Sequence, residues 1–325
     1  MSYQKDAAAG RGGKRRSIMK KRALALVCAL TFGALTLSAC GGASGEPTQA
    51  SVPAETQAAE ESASAGTAAA EAEEPETAQT GEKGTVTVAA TPVPHAEILE
   101  AAKPLMEEKG WTLEVVEFTD YVQPNEVVES GDIDANYFQH INYMESYNEE
   151  KGTHLVSAGE IHYEPLGIYP GKESDLNNIS DGAEIAVPND TTNEGRALLL
   201  LQENGLITLD PEAGITATVM DITENPHNLE IVELQAEQVA RTLPDVAFGV
   251  VNGNYALQAG LSTSDAVALE TADSEAIQQY VNVIAVKEGN ENKEGIQALV
   301  EVLKSDEIRT FINDTYQGSV VPYEE

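Results

Sequence analysis

With 325 residues, 42% of them hydrophobic, the chain can build one large core or two medium ones. Its formal charge of −35 is unevenly spread: residues 1–40 carry +7, which leaves −42 on the remainder. A surface that acidic repels phosphate backbones and argues against a nucleic-acid partner.

The basic residues concentrate at the start. Lys14, Arg15, Arg16, Lys20, Lys21 and Arg22 precede an apolar run, Ala23 to Leu37, that is short for a membrane-spanning helix. The run ends Leu37-Ser38-Ala39-Cys40, which resembles the lipobox of bacterial lipoproteins. That resemblance implies a signal peptide over 1–39, cleaved so that a lipidated Cys40 becomes the mature N-terminus. MKKRALALV, from Met19, reads as a compact signal opening, so Met1 and Met19 both stand as starts. The other cysteine, Cys28, lies in the apolar run and leaves with the signal. No thiol then remains for a disulfide, a metal or a nucleophile. Residues 41–83 hold one branched aliphatic, Val52, and no aromatic. Such a segment cannot offset its ordering entropy by burial, so 40–83 reads as a lipid-bearing, disordered acidic tether.

The foldable part opens near Thr85. TVTVAATP alternates like a strand, and Ile98, Ala102, Leu105 and Met106 then share one helical face. WTLEVVEF (111–118) is the next strand, which makes a βαβ unit and predicts a parallel sheet. From Phe118 to His140 the chain reads FTDYVQPNEVVESGDIDANYFQH. Gln123-Pro124-Asn125 predicts a turn, Glu126 to Ser130 a short helix stopped by Gly131, and Asp132 to Ala135 a short strand at a cleft edge. Tyr121, Phe138, His140 and the following Tyr143 are either ordinary core residues or the rings of a pocket for an apolar side chain. Ile141 to Lys151 is helical by pattern. Leu155–Ser157 and Ile161–Tyr169 are extended, with Gly167 and Pro170-Gly171 as a candidate first hinge.

A second α/β unit follows. Glu184–Val187 is a strand and 188–192 a loop rich in N-cap residues. Arg196–Gln202 (RALLLLQ) is apolar nearly all round and therefore a buried helix. Leu229–Leu234 and Val246–Val251 are strands, and Asn252-Gly253-Asn254 leads into a short helix. Val281–Val286 is the return strand and second hinge. Two helices close the chain, one with Ile296, Leu299, Val300 and Leu303 on its face.

Three stretches carry a resemblance: Phe118 to His140, VPNDTTNEGRALLLLQENGLI (187–207) and ENPHNLEIVELQAEQVARTLPDVAFGVVNGNYA (224–256). Together they are similar, in the same order, to the methionine-binding (NlpA) lipoproteins, substrate-binding subunits of methionine ABC importers. The resemblance runs from about Thr85 to the C-terminus. It implies a two-lobed α/β fold of the type II periplasmic binding protein class with a hinge of two crossings. Lobe 1 would comprise 84–167 and 281–325, and lobe 2 would comprise 168–280. The partners implied are methionine, the importer's permease and ATPase subunits, and the membrane through lipid on Cys40, at the extracytoplasmic face. Alternatives are a methionine-containing dipeptide, another small amino acid, or a surface adhesion lipoprotein.

Two polar positions stand out from the residues themselves. Arg196 sits near the start of its helix, where free N–H groups and a partial positive charge attract a carboxylate, and its own fork binds one bidentately. The opposing reading is an ion pair with Glu194 or a nearby Asp. Asn252 follows a strand, where open α/β sheets bind ligands, although Asn-Gly is also a common turn. The resemblance implies ligand contacts from Tyr121, Phe138, His140, Tyr143, Asn193, Arg196 and Asn252. Tyr137, Asn142 and Thr191 depart from the family pattern beside them. Asp132, Asp134 and Asn136 imitate a calcium loop, but Tyr137 replaces its Gly. The five His show no zinc-helix spacing, and there is no nucleophile elbow or phosphate loop. Neither a metal, a cofactor nor catalysis is expected.

Overall fold

A computed structural model describes residues 83–270 and 279–324. The signal peptide, Cys40 and nearly all of the tether lie outside the described residues.

Two sheets organise the chain. Among the described residues the first has six strands and the second five. In the first, β1 (Gly84–Ala90) runs parallel to β2 (Trp111–Glu117) and β3 (Ala135–His140). Helices α1 (Glu97–Glu108) and α2 (Gln123–Ser130) make the crossovers, as parallel neighbours require. The parallel unit expected from sequence is present, but the sheet as a whole is mixed. After α3 (Ile141–Lys151) comes β4 (Leu155–Tyr163), and the late strand β12 (Val281–Lys287) enters between β3 and β4, antiparallel to both.

The chain changes sheet right after β4. Its next strand, β5 (Gly167–Pro170), already pairs in the second sheet, so the crossing lies at 164–166, ahead of the hinge expected at Gly167 and Pro170-Gly171. There β6 (Glu184–Pro188) leads into α4 (Thr191–Glu203). A small hairpin of β7 (Thr208–Leu209) and β8 (Ile222–Glu224) precedes β9 (Glu230–Leu234) and α5 (Ala236–Thr242). Then β10 (Phe248–Val251) feeds α6 (Gly253–Gln258), and β11 (Ala268–Leu269) is the last strand before the return to β12. Helices α7 (Glu294–Leu303) and α8 (Asp306–Tyr316) and strand β13 (Val321–Pro322) complete the first sheet's side.

Each sheet has its own core. Val86 and Val88 of β1 pack with Ile98 and Met106 of α1, Leu299 of α7 and Ile312 of α8. Leu99, rather than the half-buried Leu105, completes the buried face of α1. In the second core, Ile185 and Val187 meet Leu198 and Leu201 of α4 and Phe248 of β10. Helix α4 is buried along most of its length, as its continuous apolar run predicts.

The stretch between α2 and β3 differs from its sequence pattern. Gln123 and Pro124 begin α2 rather than forming a turn before it. Gly131 adopts φ +84 and caps the helix. The N–H groups of Asp132 and Ile133 then both donate to Val127 O, at 3.0 and 3.1 Å. Those donors are lost to a ladder, so the strand expected at Asp132 to Ala135 begins only at Ala135. Asp134 instead accepts from the N–H and hydroxyl of Thr87, at 3.0 and 2.9 Å, which ties this turn to β1 and spends the carboxylate.

Candidate functional site

One cavity, with an atom-free volume of about 350 Å³, collects all seven residues singled out above. Its apolar wall comes from the loop after β2, from the end of β3 and from α3. Tyr121 stacks within 5.6 Å of Phe138 and 5.7 Å of Tyr143, and Phe138 and Tyr143 lie 6.0 Å apart. Their tilted and edge-on contacts are the favourable geometry for aromatic rings. Hydrogen bonds fix the cage: Tyr143 OH donates to Tyr121 O at 2.9 Å, and Tyr121 OH donates to Asn254 Oδ1 at 2.5 Å. Sequence pattern left core and pocket open for these rings; the structure makes them both at once.

The polar wall is a relay whose orientations can be deduced. Asp190 caps α4, its Oδ1 accepting from the Asn193 N–H at 3.0 Å and from Asn193 Nδ2 at 2.9 Å. The helix start is therefore met by the chain's own carboxylate. With its amide nitrogen committed, Asn193 presents Oδ1, which accepts from Asn252 Nδ2 at 2.8 Å and His140 Nε2 at 3.2 Å. His140 Nδ1 accepts from the Tyr143 N–H at 3.1 Å. Burial and the charge of Arg196 hold this imidazole down to about 3, so it is neutral with its proton on Nε2. The relay leaves Asn252 Oδ1 buried and without a hydrogen-bond partner among the described residues, and Asn254 Nδ2 likewise. Both residues line the cavity, so an unpaired acceptor and an unpaired donor lie in its wall, a costly arrangement unless something pairs with them.

Arg196 is 4% exposed and already ion-paired. Its Nε and Nη2 donate to Glu270 at 2.5–3.1 Å, Nη2 also donates to Glu164 O at 2.9 Å, and Tyr280 lies under the guanidinium at 4.1 Å. Burial works against its charge, but Glu270 outweighs that and raises its pKa. Glu270 is held below the usual carboxylate range: burial raises it, and Arg196 more than offsets the burial. The sequence alternatives for the ion pair, Glu194 or an Asp, are not used; Glu194 accepts from the Val219 N–H.

Glu164 was not singled out from sequence. It follows β4 at the sheet crossing, 6% exposed, and it lines the cavity. Its Oε1 meets His162 Nε2 at 2.8 Å and His95 Nε2 at 3.3 Å. His162 Nδ1 faces Tyr137 OH, and His95 Nδ1 faces Thr91 Oγ1 at 2.7 Å. Burial lowers His162 to about 3 and His95 to about 4, the latter in spite of Glu164. Burial likewise raises Glu164, against the pull of His95 and Arg196. The donor atoms of these three residues lie within 4.8 Å of one another, near enough to ligate a metal. His162 Nε2 already hydrogen-bonds to Glu164, however, and His95 Nε2 also meets Asn282 Oδ1 at 3.1 Å, so every ring nitrogen of the group has a protein partner. The one available signal was a carboxylate at the end of a buried strand, immediately before Pro165.

Residues 86–324 match the sequence profile described as NlpA lipoprotein. The methionine-binding lipoprotein MetQ of Bacillus subtilis is 42% identical over 255 residues, covering 76% of this chain and 91% of that protein. A lipoprotein of Ruminococcus gnavus of known structure is 65% identical, with a TM-score of 0.73 over 74% of this chain and 99% of that one. A nutrient-binding protein of Burkholderia cenocepacia, solved bound to methionine, is 42% identical, with a TM-score of 0.70 over 74% of this chain and 100% of that one.

Proposed function

The chain belongs to the NlpA lipoprotein family, and on that premise we propose that it is a receptor that closes two lobes on methionine and delivers it to an ABC importer. Its relatives are substrate-binding proteins, not enzymes. The observation that carries the reading is the division of one cavity into an aromatic cage and a buried polar wall. A thioether packs well at ring edges, which suits Tyr121, Phe138, His140 and Tyr143 to the side chain. In this reading Arg196 takes the α-carboxylate with the part of its fork that Glu270 leaves over. Asn252 meets the polar end through Oδ1, and Asn193 acts by fixing Asn252 and His140. Lobe 1 is assigned to 84–167 and 281–325 and lobe 2 to 168–280, boundaries that fall close to where the strands change sheet.

The receptor sits at the extracytoplasmic face, tethered through lipid on Cys40, and hands its cargo to the importer's permease and ATPase subunits. One acyl chain holds a membrane only marginally and several hold firmly, so a multiply acylated Cys40 is the anchor. Cys40→Ala should release the protein or leave its signal uncleaved; normal lipid labelling of that variant would refute the anchor. For the ligand, mass spectrometry of what survives purification, followed by melting with added methionine, is the test. A true ligand at about a hundredfold its Kd stabilises by about 2.7 kcal/mol. No retained methionine and no shift at millimolar methionine would end the methionine reading.

A further inference from the structure

We infer that the ring cage also takes a cationic side chain, the sulfonium of S-methylated methionine, so that the ligand class extends to α-amino acids whose sulfur carries a positive charge. The inference rests on the amino-acid-binding reading above and concerns what the apolar wall selects, not how the polar end is held.

Tyr121, Phe138 and Tyr143 form a near-equilateral triangle, with ring centroids 5.6, 5.7 and 6.0 Å apart. A group seated over its middle lies within about 6 Å of all three centroids, the reach of a cation–π contact. Phe138 and Tyr143 are buried, so a cation held there is desolvated, the condition under which such contacts are strongest. Tyr255 stacks on Tyr121 at 4.9 Å, with its own hydroxyl donating to Thr119 O at 3.1 Å, and braces that ring from behind. His140, the fourth ring, lies 6.2 Å from Tyr143 and is uncharged, so it does not repel a cation.

Carboxylates surround this wall. Burial first holds Tyr121 and Tyr143 protonated; neighbouring phenols and carboxylates add to it, Glu164 and Asp190 at Tyr121, Asp190 and Glu150 at Tyr143. Each of those carboxylates makes the potential at the rings more negative. Lys151 lines the neighbouring groove together with Tyr143, Glu150 and Asp190, but it is exposed, where solvent screens it. The charge of Arg196 falls on His140, toward the polar wall. A neutral thioether draws little from ring faces and carboxylates together, whereas a sulfonium draws on both.

The cage also distinguishes among cations. Its oxygens are engaged: Tyr143 OH donates to Tyr121 O at 2.9 Å, and Tyr121 OH donates to Asn254 Oδ1 at 2.5 Å. A lysine ammonium brings three N–H donors and would exchange its water for too few acceptors. A sulfonium has no N–H to satisfy and presents only alkyl groups to the rings. It differs from methionine by one methyl group and one charge.

The test titrates methionine, S-methylmethionine and lysine calorimetrically into the parent and into Phe138→Leu, which keeps an apolar side chain and removes one ring face. In the parent, the ring contacts should bring S-methylmethionine within about tenfold of methionine and at least about 30-fold ahead of lysine. Phe138→Leu should cost S-methylmethionine about 5- to 30-fold more than it costs methionine. S-methylmethionine that does not bind at millimolar concentration, or binds no better than lysine, overturns the inference, and so does an equal loss of both sulfur ligands in the variant. If Phe138→Leu does not fold, the parent's three affinities decide alone. A parent that binds methionine and not the sulfonium refutes only the cation cage. One that binds the sulfonium and not methionine upholds the cage and ends the methionine reading, and one that binds neither refutes both.

Discussion

The guanidinium of Arg196 and the carboxylate of Glu270 join the start of α4 to the chain just before its return crossing, with Nη2 and Oε2 2.5 Å apart. Glu270 also accepts from Tyr163 at the end of β4, so one carboxylate ties together both places where the chain changes sheet. Arg196→Ala leaves that carboxylate buried and unpaired, which should cost about 3–5 kcal/mol of stability. It should also remove methionine binding. Arg196→Met combined with Glu270→Gln should regain most of the stability and none of the affinity. Unfolding and calorimetry on both variants separate the two roles; methionine affinity within a few-fold of the parent in the double variant would reduce Arg196 to a structural residue.

Phe138 packs against Tyr121 and Tyr143 and is 3% exposed. Truncation to Ala deletes contacts that reach the end of a long side chain and hardly touch a short one. Phe138→Ala should therefore weaken methionine more than alanine or serine and narrow the gap between them, at a cost of about 3–5 kcal/mol in stability. Arg196→Ala, by contrast, should weaken all three alike. Competition binding with the three amino acids reads out the pattern, and a uniform loss for Phe138→Ala would take the ring out of the side-chain pocket.

Gly195 stands in the first turns of α4 against the backbone of Ile215, and a Cβ there would lie 2.2 Å from Ile215 O. At an open helical position Gly→Ala gains about 1 kcal/mol. Here the sign reverses, because a backbone oxygen cannot rotate away. Gly195→Ala should lower the melting temperature and, by displacing the turn that carries Asn193 and Arg196, weaken methionine binding in the same protein. A variant as stable as the parent would show that α4 can shift freely.

Most strands and helices were legible because their signals are local: the alternation of β1, the apolar run of α4, the glycine stop of α2. The aromatic cluster was legible for the same reason, since Tyr121, Phe138, His140 and Tyr143 fall within one short stretch, but spacing left it open between core and pocket. Glu164 and Glu270 were not. Both are acids in a chain with 54 of them, and apart from the place of Glu164 at a strand end before Pro165, nothing local separates them from the exposed majority. Their partners are distant: His95 reaches Glu164 from before α1, and Arg196 reaches Glu270 across 74 residues. Spacing rules for metal or catalytic groups operate within one helix or turn, and they cannot see a cluster assembled from separate elements. The misplaced strand at Asp132 has another cause: alternation of side chains says nothing about where the backbone N–H groups are already committed.

The three buried histidines make stability depend on pH in a definite direction. His140, His95 and His162 are held by burial at about 3, about 4 and about 3. In the unfolded chain each titrates near its ordinary value of about 6.5. Above that value both states are neutral and pH acts on none of them. As pH falls below it, the unfolded chain binds protons that the folded one refuses, so stability declines until the folded state titrates as well. Each histidine contributes a slope of up to about 1.4 kcal/mol per pH unit, so the three together should remove about 3–4 kcal/mol between pH 7 and 5.5. Glu164 opposes this, because its raised pKa lets the folded state take up a proton ahead of the unfolded one. Glu270, held low by Arg196, withdraws its stabilisation only as pH falls through the carboxylate range and below, outside this window. Urea unfolding of ligand-free protein at pH 7 and 5.5 should show the midpoint fall with the slope unchanged. A midpoint that stays level would mean that the folded state takes up protons in step with the unfolded chain, so that burial does not keep these three imidazoles neutral.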